Sequence, residues 1–269
     1  MENESHMRWR FLPSLDRDIF RQLAMEETQA RLAAQNKQAN TIRFWTSHNS
    51  VVMGRLQCVH KEANIEYCSG HNISIARRFT GGGTVYHDEG NLNFSLCLLQ
   101  KDPAVPKTLV DVYKKFIGLL ASSLNKIKVP VRYDENRNCL RINEKKVTGT
   151  AGWLKQGVSF IHGTLLLTSD LEEMNKALTP VEGQQEYLRD FTRVRCKESN
   201  RDTVTNVSDE IEECPSVESI VQAILQGIEE MTNETVEEVE FTQEEVDTAQ
   251  SLYDTRYRKV EWNMGTPKE

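Results

Sequence analysis

The sequence predicts an α+β fold, with mixed or antiparallel sheets and helices packed on them. Short runs rich in β-branched and aromatic residues recur along the chain, and several segments carry apolar residues at three-and-four spacing. Mixed strands with segregated helices are typical of this class. We expect one main domain over residues 1–269, with the acidic C-terminal part at about 209–258 packed on it as helix, strand and helix.

Each predicted element follows from its local pattern. Apolar positions repeating every three or four residues predict helices at 16–35, 107–128, 170–178, 216–231 and 242–257. Runs of β-formers bounded by turn residues predict strands at 41–45, 50–53, 73–79, 91–99, 139–143, 145–153, 158–168 and 235–241. The run "NLNFSLCLL" at 91–99 alternates apolar and polar residues strictly, which indicates a half-buried strand.

Length and composition exclude several classes of protein. The 269 residues, 38% of them hydrophobic, suit a globular core, and no stretch approaches the roughly 20 apolar residues of a membrane span. The start "MENESHMRWRF" lacks the apolar core of a secretory signal, so we expect a cytoplasmic protein. The six cysteines form no C-x-x-C pair, which argues against a zinc site or a disulfide framework and predicts reduced thiols.

Charge is distributed unevenly along the chain. The segment 209–247 holds 14 acidic residues and no Lys or Arg, so the rest carries 33 basic against 26 acidic residues. That basic part could attract an anionic nucleotide or an acidic partner, or it could be a solvated surface. Basic residues are not interleaved with aromatics, so nucleic-acid binding is not expected.

The stretch "ARRFTGGGTVYHDEGN" at 76–91 is the first candidate binding motif. Three adjacent glycines are costly to fold, which favours close approach of the backbone to a ligand, although a strained hairpin is an alternative. The run matches neither a Walker loop nor a dinucleotide fingerprint. Arg77 and Arg78 could bind phosphate, and His87, Asp88 and Asn91 follow, although an isolated histidine is more often structural.

Two later runs add polar residues to the candidate site. In "NEKKVTGTAGW" the spacing Lys-x-x-Gly-x-Ala puts Lys146 beside the small residues Gly149 and Ala151, although a lysine here could equally lie on a solvated edge. "IHGTLLL" places the polar triplet 162–164 at the start of an apolar strand. A buried polar triplet needs partners.

These runs, in this order, resemble the lipoate–protein ligase A family, part of a group that includes biotin ligases and octanoyltransferases. Two arginines, a hydroxyl residue, three glycines, His-Asp and Gly-Asn all match the family pattern between Arg77 and Asn91. "VVMGRLQ", "KVTGTA", "HGTLLL" and "VTNV" also look like family segments, and the resemblance spans about 20–265. It implies a catalytic domain of the biotin/lipoate ligase type.

The resemblance implies a two-step transfer: lipoate and ATP form lipoyl-adenylate, and a lysine of a lipoyl-domain protein then takes the lipoyl group. The acceptors would be 2-oxoacid dehydrogenase or glycine cleavage carriers, and Mg²⁺ would accompany ATP. Lys146 would be catalytic, contacting the lipoyl carbonyl and the α-phosphate. Arg78 would contact phosphate, and the backbone of Tyr86 would read the adenine. The implied substrate and ATP-binding residues are Arg78, Gly81, Gly82, Gly83, Thr84, Val85, Tyr86, His87, Asp88, Asn91, Lys146, Gly149, Ala151, His162, Gly163 and Thr164.

The sequence departs from the family pattern at two places. Many members have Arg-Asn-Asp where this chain has Arg137-Asn138-Cys139, so the metal ligands are not assigned. Cys139 also keeps an octanoyltransferase in view, beside a lipoyl amidotransferase acting between carrier proteins and a non-enzymatic lipoate carrier. Longer members continue into an accessory domain where this chain stops at "VEWNMGTPKE", so we expect a separate small protein to support activation.

Overall fold

The computed structural model describes residues 9–14, 16–35, 38–188 and 196–269. Its strands are β1 Trp9–Pro13, β2 Thr41–Trp45, β3 Ser50–Met53, β4 Ser74–Arg77, β5 Val85–His87, β6 Asn91–Leu99, β7 Arg132–Asp134, β8 Cys139–Ile142, β9 Lys145–Lys146, β10 Thr148–Lys155, β11 Val158–Leu166, β12 Tyr187–Leu188, β13 Val236–Glu238 and β14 Thr266–Pro267. Its α-helices are α1 Ile19–Ala34, α2 Ile65–Gly70, α3 Leu109–Lys126, α4 Leu171–Ala177, α5 Val217–Thr232, α6 Gln243–Leu252 and α7 Val260–Asn263.

A six-stranded sheet in the order β10-β11-β6-β2-β1-β13 organises the fold. The strands from β10 to β2 are antiparallel neighbours, whereas β1 runs parallel to both β2 and β13. A second sheet, β4-β3-β5, combines one parallel and one antiparallel pair, and β7-β8-β9 is antiparallel. Mixed sheets covered by helices confirm the predicted α+β class.

The central strand β6 is buried on both faces, which corrects the half-buried prediction. Its apolar face packs under α3, where Phe94 and Leu96 belong to one core cluster with Phe116. Its other face meets α1, where Cys97 and Ala30 share a second cluster. The alternation of residue types is real, but a helix covers each face, so the polar positions are buried as well.

Local signals set most helix boundaries. The side chains of Asp18, Thr108 and Ser216 accept hydrogen bonds from first-turn amides of α1, α3 and α5. Thr242 forms a reciprocal capping box with Glu245 at the start of α6. The helix predicted to 257 is α-helical only to Leu252, and a π-helical turn covers Tyr253–Tyr257.

The prediction that all cysteines are reduced is wrong for one pair. Cys58, in the segment after β3, and Cys196 form a disulfide, with their Cα atoms 5.2 Å apart and 138 residues between them in sequence. Only the folded chain brings these two residues together. Cys68, Cys97, Cys139 and Cys214 are free thiols.

None of the described helices is both long enough and apolar enough to cross a lipid bilayer.

Candidate active site

A cavity of about 850 Å³ opens between one face of the large sheet, the glycine-rich loop that joins β4 to β5, and the segment 198–204. Its volume is that of a pocket for a cofactor-sized ligand. Leu23, Trp45, Val52 and Val85 contribute apolar surface to it, whereas Lys146 and the polar residues of 198–202 form another part of its wall. One ligand with an apolar and a charged part would match this lining.

The floor of the cavity is set by strand register. Gly149, Thr164, Asn93 and Trp45 lie opposite one another across β10, β11, β6 and β2. Residues paired in this way share one face of a sheet. His162 and Ala151 lie in the next row, so the two later motifs meet on the same face.

Arg78 organises the glycine-rich loop from within. Its guanidinium is buried and donates to the carbonyls of Val52, Gly81 and Gly83 over 2.7 to 3.1 Å, and also to Thr80 Oγ1. Burial lowers the pKa of Arg78 to about 10, with nearby carboxylates such as Glu26 acting the other way. Arg78 lines the cavity, but its hydrogen bonds in this structure hold the loop.

Arg77 has a structural role away from the cavity. Its guanidinium donates to the carbonyls of Gly54, Gln57, Trp262 and Asn263, so it ties α7 to the segment after β3. The two adjacent arginines therefore point to different parts of the molecule.

Lys146 enters the cavity from β9, and its backbone is pinned on both sides. Its N–H donates to Thr203 O at 2.9 Å, and its carbonyl accepts from Thr205 N at 3.1 Å. A Cβ placed on Gly149 would lie 3.9 Å from Lys146 Nζ, which locates the ammonium above that glycine. Within the described part of the chain, Nζ has no hydrogen-bond partner. Burial lowers the pKa of Lys146, and the charge of Asp202 opposes that shift.

A carboxylate from a distant segment compensates for the departure at Cys139. Asp202 lines the cavity, accepts from Arg141 Nη2 at 2.6 Å, and lies close enough to Lys146 to affect its pKa. Cys139 itself is fully buried outside the cavity lining, and burial raises the pKa of its thiol. Sequence analysis found Cys139 but missed Asp202, because the two are far apart along the chain.

His162 links helix α1 to the glycine-rich loop. Its Nδ1 lies 2.7 Å from Glu26 Oε2, and its Nε2 lies 2.7 Å from Thr80 Oγ1. Glu26 also accepts from Trp45 Nε1 at 3.3 Å. The buried polar residue at 162 thus has the partners that its motif required.

His87 is neutral at ordinary pH. Burial, with a smaller contribution from the Arg78 charge, lowers its pKa to about 3. Its ring lies 5.5 Å from that of Trp45, and Nδ1 has no hydrogen-bond partner in the described part of the chain.

Asp88 and Asn91 stabilise the turn that follows β5. Asp88 accepts from the backbone N–H groups of Gly90 and Asp170, and the latter is the N-cap residue of α4. Asn91 donates to Thr164 Oγ1 at 2.9 Å and accepts from the Asp88 amide. Neither residue reaches the cavity lining.

The structure brings most of the predicted site residues together. Those that line the cavity are Arg78, Gly83, Thr84, Val85, Tyr86, His87, Lys146, Gly149, Ala151, His162, Gly163 and Thr164. Those that lie behind it are Gly81, Gly82, Asp88 and Asn91. Sequence analysis missed the lining residues Trp45, Asn93, Ser199 and Asp202, none of which belongs to a motif.

Ser199 closes one side of the cavity. Its Oγ accepts from Thr84 N at 2.7 Å and from Gln57 Nε2 at 2.9 Å. Its own amide donates to the buried carboxylate of Glu62 at 2.7 Å. The disulfide at Cys196 lies three residues earlier, so this wall is fixed to the glycine-rich loop by both hydrogen bonds and a covalent link.

The described residues do not form a metal site of their own. No group of three or more His, Cys, Asp or Glu side chains among them is arranged to hold an ion. The cavity carboxylates Glu62 and Asp202 are both paired with arginine. Magnesium therefore stays a prediction, and its ligands would have to come largely from nucleotide phosphates.

Known proteins share this sequence over most of its length. Residues 18–229 match the family model of the lipoyl protein ligase A/B catalytic domain. Lipoate-protein ligase A subunit 1 of Thermoplasma acidophilum is 30% identical, with 83% of this chain and 84% of that protein aligned. Lipoate–protein ligase 1 of Staphylococcus aureus is 30% identical over 82% of this chain, which spans 63% of that protein. Octanoyltransferase LipM of Bacillus subtilis is 25% identical over 95% and 97% of the two chains.

Solved structures agree with these relatives. A T. acidophilum protein with bound lipoic acid has a TM-score of 0.79 at 25% identity, covering 96% of this chain and 99% of its own. The bi-partite lipoate protein ligase of that organism, described with its E2 lipoyl domain, reaches 0.80 at 28% identity over 98% and 99%. A lipoate-protein ligase A bound with ATP reaches 0.79 at 27% identity over 96% and 99%. The chain therefore belongs to the lipoyl protein ligase A/B catalytic-domain family.

Proposed function

We propose that the protein is a lipoate–protein ligase, which activates lipoate with ATP and transfers the lipoyl group to a lysine of a lipoyl-domain protein. The observation that carries the proposal is the position of Lys146. Its ammonium, unpaired within the described residues, stands between the apolar and polar parts of one cavity. Relatives of the same fold bind lipoic acid or ATP, which supports both substrates.

In the first half-reaction a carboxylate oxygen of lipoate attacks the α-phosphorus of ATP, and the bond to pyrophosphate breaks. Negative charge builds on the phosphoryl oxygens, and a fixed cation near them lowers the barrier. Lys146 would supply that cation. The loop from Gly83 to Tyr86 would line the nucleotide, and Arg78 would preserve the shape of the loop through its carbonyl hydrogen bonds. A direct contact of Arg78 with phosphate stays a prediction.

In the second half-reaction the amine of the acceptor lysine attacks the acyl carbonyl, and AMP leaves. Charge now develops on the acyl oxygen, and the same Lys146 Nζ would stabilise it. The carboxylate of Asp202 helps to keep Lys146 protonated despite its burial, because a nearby negative charge favours the ammonium.

An octanoyltransferase is the second candidate, favoured by the similarity to LipM. A mechanism with the acyl group on Cys139 has little support, since that thiol is fully buried and its pKa is raised. A lipoyl amidotransferase would use Lys146 in the same way and would need no ATP.

We infer that a separate small polypeptide assists activation, since the T. acidophilum relative is described as bi-partite. The isolated chain would then form lipoyl-adenylate slowly, yet transfer from preformed lipoyl-adenylate. Rapid ATP-dependent lipoylation by the purified chain alone would refute this inference.

Intact mass of a lipoyl domain separates the candidates. Three incubations are compared: with lipoate and ATP, with synthetic lipoyl-adenylate, and with an octanoylated or lipoylated carrier protein without ATP. A lipoyl mass increase in the first two only supports the ligase. Modification only from a carrier protein would replace the ligase with one of the alternatives, and no modification in any incubation would favour a carrier role.

A further inference from the structure

Asn93 is a buried amide whose hydrogen-bonding capacity is unused. Its side chain lines the cavity and is 1% exposed. Neither Oδ1 nor Nδ2 has a hydrogen-bond partner in the described part of the chain. Buried amides in folded proteins are nearly always paired, so an amide that faces a binding cavity points to a partner on the ligand.

The surroundings of Asn93 are otherwise apolar and aromatic. It lies directly opposite Trp45 in the register of β6 and β2. The His87 ring, which contacts the other side of the same tryptophan region at 5.5 Å, has an unpaired Nδ1. Leu23 and Val52 line the same cavity. Two buried polar groups thus interrupt a pocket that would otherwise suit a plain alkyl chain.

The distance from Lys146 places Asn93 at the far end of a bound acyl chain. The Lys146 ammonium lies over Gly149 on β10, and Asn93 is two strands further along the same row. Neighbouring strands are roughly 4.8 Å apart, so the separation is roughly 10 Å. An extended eight-carbon acid with its carboxyl group at Lys146 would end near Asn93.

We propose that Asn93, assisted by His87, makes the tail end of the acyl pocket selective for the sulfur-containing chain of lipoate over the plain alkyl chain of octanoate. This inference rests on the proposed function and specifies its substrate. Ring sulfur is a weak acceptor that the Asn93 N–H can reach, whereas a terminal methyl group leaves the amide unpaired. The methylenes of both acids would contact the same apolar side chains, so the difference arises at the tail.

Direct binding, without ATP, tests the inference separately from catalysis. Dissociation constants for lipoate and octanoate are measured by calorimetry on the wild-type chain, on Asn93→Leu and on the control Ser95→Ala. Ser95 is buried on the same face of β6 but does not line the cavity. We expect the wild type and Ser95→Ala to prefer lipoate by roughly tenfold, the cost of one unmade buried hydrogen bond, and Asn93→Leu to lose that preference.

Two further measurements keep the test decisive if Asn93→Leu does not fold. Asn93→Ser removes the amide with a smaller change of volume and should also lose the preference. On the unmodified chain, a lipoate analogue with methylenes in place of both ring sulfurs should bind like octanoate. Equal affinity for lipoate and this analogue, or an unchanged preference in the variants, would overturn the inference alone. Failure of every acid to bind the wild type would overturn the proposed function together with it.

Discussion

Replacing Gly82 by alanine should destabilise the protein, whereas the same replacement at the adjacent Gly81 should not. Gly82 has a φ of +88°, a region that costs an L-residue about 1–2 kcal/mol. Its new Cβ would lie 2.8 Å from Arg78 Nη2 and 3.1 Å from Ala151 Cβ. Around Gly81 a Cβ would meet nothing within 4 Å.

The magnitude follows from what the Arg78 side chain does. Its Nη2 donates to the carbonyls of Gly81 and Gly83, each at 2.7 Å, and displacing it would leave buried polar groups unpaired at a cost of about 1–3 kcal/mol. Together with the backbone term, Gly82→Ala should lose about 2–5 kcal/mol of unfolding free energy, and its affinity for lipoate should fall with the altered loop.

Urea unfolding of the two variants and the wild type provides the assay. Gly81→Ala is the matched control because it changes the same residue type one position away, and its unfolding free energy should stay within about 1 kcal/mol of the wild type. If both variants unfolded at the wild-type midpoint, Arg78 would not hold the loop as described, and the glycines would have no steric role here.

Three other perturbations test separate parts of the site. Lys146→Ala should slow adenylation by about 10²- to 10³-fold, while Lys145→Ala, which removes an exposed lysine paired with an acidic residue, should leave it unchanged; equal losses in pyrophosphate release would contradict the assignment. Reducing the Cys58–Cys196 disulfide should lower the unfolding free energy by about 2–4 kcal/mol, and Cys58→Ser should be insensitive to reductant; a wild type equally stable with and without dithiothreitol would exclude a stabilising cross-link. Because the pKa of His87 is lowered to about 3, the unfolded chain takes up a proton that the folded chain refuses, so stability should fall as pH drops below about 6.5, by about 2 kcal/mol at pH 5. His87→Gln should flatten this part of the pH profile of urea unfolding, and an unchanged profile would show that His87 is not buried neutral.

The sequence by itself determined the fold class, most helices and strands, and the family. These succeed because their signals are local: apolar periodicity reports which face of an element is buried, and capping residues such as Thr108 and Thr242 mark helix starts. The three motifs were also enough to predict that Lys146 and His162 belong to one site, and both line the cavity. Local pattern missed the N-terminal strand β1, whose place depends on pairing with β2 and β13.

Only the tertiary structure decided how those residues divide their tasks. Arg77 and Arg78 are adjacent and chemically identical, yet strand β4 directs one to α7 and the other into the glycine-rich loop. Asp202 and Asn93 belong to no motif, and they join the site because register and chain crossing bring them there. The disulfide spans 138 residues of sequence. A local pattern reports burial and direction, but a contact between distant segments depends on how the whole sheet is assembled, and no short stretch of sequence encodes that.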